Sequence, residues 1–121
     1  MRYYYLDNMK NESIATLLRI FIGESDKHDG KTLHDYLVEQ LRKNHFAGVT
    51  VLRGIEGFGQ KSLIHTANVL ELSTDLSIIV EVVDTEEKIE ELKKMIDEME
   101  IHKEVGMLIT EEKVKVIRYG K

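Results

Sequence analysis

The chain has 121 residues, 42% hydrophobic and 32% charged, with a formal net charge of −5 and neither cysteine nor proline. That size and balance fit one soluble globular domain with a core of its own. They exclude a disulfide framework and thiol chemistry. The acidic surplus also speaks against broad nucleic-acid binding, which needs a basic surface to neutralise phosphates.

Residues 1–16 are polar and aromatic, with Tyr3, Tyr4 and Tyr5 ahead of an Asp-Asn-Met-Lys-Asn-Glu-Ser stretch. They read as an N-terminal extension to a domain over 17–121. Such an extension is either a partly ordered tail or an edge strand laid against a partner subunit. No long apolar stretch followed by a small-residue cleavage site is visible, so a cytoplasmic address is expected.

Over 17–22 the side chains alternate, with Leu18, Ile20 and Ile22 on one side and Leu17, Arg19 and Phe21 on the other. Two-residue periodicity predicts a strand. The turn-rich segment 23–30 follows, in which Ser25, Asp26 or Asp29 could cap a helix. Leu33, Tyr36, Leu37 and Leu41 then form one apolar stripe, which predicts a helix over 32–44 that stops before Gly48.

A second strand over 49–52 runs into three glycines within six residues, Gly54, Gly57 and Gly59, and then a Gln60-Lys61 pair. A strand that dissolves into glycine suggests a surface loop on which bare backbone can meet a ligand. Residues 60–75 alternate only in part and could form the far arm of that loop. Residues 76–83, which carry Glu81, are apolar on both faces for most of their length, as a central strand should be.

Asp84 or Thr85 opens a second helix whose buried stripe is Ile89, Leu92, Ile96 and Met99, widened by Met95. Glu90 and Lys94 have the spacing of a solvent-side ion pair. Two last strands, 105–109 and 114–119, read as a hairpin around Thr110-Glu-Glu-Lys113. The element order predicts an α+β ferredoxin-like βαββαβ sandwich with an additional C-terminal strand. Both helices would cover one sheet face, so apolar side chains on the other call for a partner subunit.

With that order in place, the chain resembles the PII signalling proteins. The residues that carry the likeness are Gly48-Val-Thr-Val, then Gly57-Phe-Gly-Gln-Lys61 and His65-Thr66. The resemblance is strongest to a stand-alone PII-like branch catalogued as a domain of unknown function. Its hallmark is similar to Leu52-Arg-Gly-Ile-Glu-Gly-Phe-Gly59, followed by Ile64-His-Thr and a closing Val116-Ile-Arg-Tyr119.

The resemblance implies a PII-like regulatory protein, a homotrimer with an adenine nucleotide (ATP, ADP or AMP) in the cleft between subunits beside the 54–68 loop. It would act by touching a partner through that loop, a membrane transporter or an enzyme, with no obligatory cofactor and no membrane insertion. Carried over by position, Gly57, Gly59, Gln60 and Lys61 approach the phosphates or base, and Arg118 comes from the neighbouring subunit. One departure is clear. PII proteins place a second glycine-rich phosphate loop before the last core strand, where this chain has Lys103-Glu-Val-Gly106-Met-Leu with a single glycine.

Several residues have competing readings. Glycines expose N–H groups that can cradle an anion, and Arg53 and Lys61 add positive charge, yet the spacing is neither a dinucleotide fingerprint nor a P-loop. Phe58 is either an interface plug or a base-stacking platform. His65 is either a ligand contact or a plain hydrogen-bonding group. Asp26, His28, Asp29 and His34 sketch a metal site without its usual helical spacing, so no metal is expected. No elbow motif or triad order points to catalytic residues. The alternatives to a nucleotide sensor are a small ferredoxin-like enzyme with its active site in the subunit cleft, or an interaction module without a ligand.

Overall fold

The computed structural model describes residues 10–57 and 76–120. Four strands form one antiparallel sheet: β1 (Lys10–Gly23), β4 (Thr50–Arg53), β5 (Ser77–Asp84) and β6 (Leu108–Tyr119). Their spatial order is β4-β5-β1-β6, the ferredoxin-like arrangement. A two-stranded turn, β2 (Lys27–His28) with β3 (Lys31–Thr32), leads into helix α1 (Leu33–Lys43). Helix α2 (Glu86–Met99) and a 3-10 turn (Ile101–Lys103) connect β5 to β6.

The alternation read from sequence decides which face is buried. Leu18, Ile20 and Ile22 lie opposite Val82, Val80 and Ile78. All six belong to one core with Leu33, Leu37 and Leu41 of α1 and Ile89, Leu92 and Ile96 of α2. Both helices therefore cover the same sheet face. Met99 packs against this core from its edge.

The helix ends have local causes. Thr32 caps α1, its hydroxyl accepting from Asp35 N–H, and Thr85 caps α2 by accepting from Lys88 N–H. The cap of α1 is thus none of Ser25, Asp26 and Asp29. Asp26 is buried in the preceding turn instead, where its carboxylate accepts from Gly23 N–H at 2.7 Å. Helix α1 stops at Asn44, ahead of Gly48, because the Asn44 amide donates to the Gln40 carbonyl at 2.8 Å and His45 turns left-handed.

Other expectations are corrected. The extra C-terminal strand is present as a continuation of the fourth core strand, so 105–109 and 114–119 are not two arms of a hairpin. Thr110 to Lys113 run straight within the twelve-residue β6, because every residue from Leu108 to Tyr119 has a pairing partner on β1. Those partners reach back to Lys10, so residues 10–16 form the first half of β1 against the chain's own β6. Glu90 pairs with Lys93 at 2.7 Å rather than with Lys94, since Lys93 also reaches Glu111 on β6 and ties α2 to the sheet edge. No helix among the described residues is long and apolar enough to cross a membrane.

Candidate functional site

The end of β4 is built by three strand termini that meet at the start of β5. Gly54 N–H donates to the Ser77 carbonyl at 2.8 Å, and Glu24 N–H donates to the Leu76 carbonyl at 2.8 Å. A side chain at position 54 would put its first carbon 3.4 Å from that Ser77 carbonyl oxygen. Glycine there lets the chain leave β4 in close contact with β5. Beyond it, Ile55 is 91% exposed and Gly57 is exposed as well.

Arg53 closes this corner. It pairs in register with Ile78, which in turn faces Ile22 on β1, so Arg53 sits in the last row to which β4 contributes. Its Nε lies 2.9 Å from Glu24 Oε2, and more than half of its side chain is exposed. Nothing in the sequence alone pointed to Glu24, because twenty-nine positions separate the two residues and only the β4-β5-β1 order brings them together. Phe58, Gly59, Gln60, Lys61 and His65, named with Arg53 and Gly57 as ligand-binding residues, lie outside the described residues.

Arg118 stands apart from this corner. It pairs with Asn11 at the opposite end of β1. Eleven residues of strand separate that position from Ile22, which is about 35 Å at roughly 3.3 Å per residue. Within one chain Arg53 and Arg118 do not share a site. Arg118 follows Val114 and Val116 along the sheet face turned away from the helices, the face that also carries Leu17.

That second face is apolar around a charged centre. Leu52 and Val83 are exposed, and Leu108 is 61% exposed. Phe21 lies between Leu108 and Ile79 in register. In the middle, Arg19 bridges Glu81 and Glu112, at 3.0 Å to each. The hydrogen bond that Arg19 donates to Glu81 raises the guanidinium pKa above its ordinary value, with partial desolvation opposing it and Glu112 adding to it. One permanent cation thus ties three neighbouring strands together on the face turned away from α1 and α2.

The residues that sketched a metal site are dispersed. Asp26 holds its turn, and His34 lies 3.3 Å from the Asp35 carboxylate beside it. His28 packs its ring edge on Tyr36 at 4.5 Å, with Nδ1 at 3.7 Å from Glu104. Among the described residues no three His, Asp or Glu side chains converge as metal ligands would.

Comparison with known proteins places this architecture. Residues 15–116 match the model of the DUF190 family, described as "Uncharacterized ACR". A UPF0166 protein of Aquifex aeolicus is 39% identical over 101 residues, covering 84% of this chain and 91% of the relative. A UPF0166 protein of Methanocaldococcus jannaschii is 30% identical over 95 residues, covering 78% and 85%. Among solved structures, the apo form of CPII from Thiomonas intermedia K12, a nitrogen regulatory PII-like protein, superposes with a TM-score of 0.62 at 13% identity. That match covers 90% of this chain and 98% of CPII. CPII bound to ADP, AMP and acetate gives a TM-score of 0.61 at 14% identity, covering 88% and 91%. The fold is therefore PII-like, and the chain belongs to the DUF190 (UPF0166) family.

Proposed function

We propose that this protein is a cytoplasmic PII-like regulator that binds an adenine nucleotide at the cleft between subunits of a homotrimer. The nucleotide lies beside the 54–68 loop, and the loop reports its presence to a partner, a membrane transporter or an enzyme. One observation carries the reading. Arg53 is exposed where β4 passes into the glycine-rich stretch, while Arg118 lies at the far end of the sheet on a face rich in uncovered apolar side chains. A single chain cannot bring the two arginines to one ligand, but a neighbour packed on the open face can.

The likeness to CPII, a PII-like protein solved with ADP and AMP, supports an adenine nucleotide as the ligand. In this reading Gly57, Gly59, Gln60 and Lys61 supply backbone amides and charge to the phosphates, with Phe58 and His65 beside them. The nucleotide acts on the loop only through its different affinity for the ordered and open states.

Titration calorimetry with ATP, ADP and AMP tests the reading. Saturable binding of at least one of them, at one site per chain, is expected. Arg53→Ala should weaken it by about tenfold or more, the usual loss for a hydrogen bond to a charged group. Absence of heat with all three nucleotides would contradict it.

A further inference from the structure

We propose that Glu24 sets the affinity of the Arg53 corner for anions, as a built-in carboxylate that an incoming phosphate must displace. The inference rests on the nucleotide reading given above and adds the residue that regulates it. Glu24 is held in place on both sides. Its own N–H is bonded to the Leu76 carbonyl, and the turn after it is fixed by Asp26, whose backbone N–H and carboxylate both bond Gly23. Arg53 is anchored in the same way through β4 and the Gly54–Ser77 bond.

The two side chains therefore meet across the first residues of β5 without needing to search for one another, with Nε and Oε2 2.9 Å apart. Glu24 is the less exposed of the two, at 33% against 55% for Arg53. While the pair is closed, the charges of Arg53 and Glu24 offset one another. A phosphate that takes Arg53 leaves Glu24 uncompensated a few ångströms away, and like charges at that distance repel. Because both groups touch water, the penalty is modest and shrinks with salt.

The test titrates ATP, ADP, AMP and inorganic pyrophosphate into the full-length wild type and into Glu24→Gln, Arg53→Gln and the double variant at low salt. Glu24→Gln should bind about fivefold tighter than wild type, given one carboxylate removed at close range in water. Glu24→Ala should show the same gain, which guards against a fault particular to the glutamine. In the Arg53→Gln background the gain should vanish, and at high salt it should shrink in the single variant. A purely structural role for Glu24 would move none of these couplings. If the wild type binds a nucleotide but Glu24→Gln binds it equally or more weakly, the role of Glu24 is wrong. A gain that persists without Arg53 overturns it too. If pyrophosphate binds and no nucleotide does, the nucleotide reading fails and the role of Glu24 is decided on pyrophosphate alone. If no probe binds any variant, both fail together.

Discussion

Leu18→Ala should destabilise the fold by about 2–5 kcal/mol, the range for removing a fully buried leucine from a packed core. Leu18 is 0% exposed and sits on the central strand β1, opposite Val82 on one side and Glu111 on the other. It faces the layer filled by α1 and α2, and a close-packed interior relaxes only partly around a lost side chain. Denaturant titration at fixed protein concentration reads the loss as a fall in midpoint without a change in slope. Lys94→Ala on the exposed side of α2 is the control, expected within about 0.5 kcal/mol of the parent. An equal effect of the two substitutions would mean that the core is not where the alternation of β1 puts it.

Leu108→Glu should break the proposed trimer while leaving the fold intact. Leu108 is 61% exposed in the single chain, so it contributes little to the core, yet it lies beside Phe21 on the uncovered face. In a trimer packed through that face, each copy would bury the new carboxylate beside Phe21, two positions along β1 from Arg19, which Glu81 and Glu112 already engage. A buried charge without a partner costs several kcal/mol per site. Sedimentation equilibrium should give a mass about three times that of the 14.0 kDa chain for the parent. The variant should sediment as the single chain with an unchanged far-ultraviolet circular dichroism spectrum. A variant that stays trimeric would show that the open face is not the interface.

Much of the fold is legible in the sequence because the signals are periodic and local. The alternation of Leu18, Ile20 and Ile22 and the stripes on both helices depend on near neighbours, and the core follows them. The errors lie where a distant strand decides. Thr110-Glu-Glu-Lys113 has the composition of a turn, but pairing with residues 16–19 of β1 holds it extended. Residues 10–16 carry no alternation of their own and become strand through the same pairing. Lys94 has the better helical spacing to Glu90, while Lys93 gains a second carboxylate from β6 that no helical rule contains.

The candidate site divides in the same way. Arg53 was recognisable from its place between a strand and the glycines. Glu24 was not, because its partnership with Arg53 exists only after β5 has inserted between their strands. The Glu81–Arg19–Glu112 bridge likewise joins residues from three strands, and no local pattern in the sequence links them.

The most direct test is complementation between two defective subunits. Arg53→Ala and Arg118→Ala are purified separately, each expected to bind adenine nucleotide poorly, then unfolded together in equal amounts and refolded. If each cleft draws Arg53 from one copy and Arg118 from the next, random mixing restores both arginines in about one cleft in four. Calorimetry with the nucleotide that binds the parent should then recover high-affinity sites at that fraction. A mixed assembly that binds no better than its two parents would contradict a nucleotide site shared between subunits.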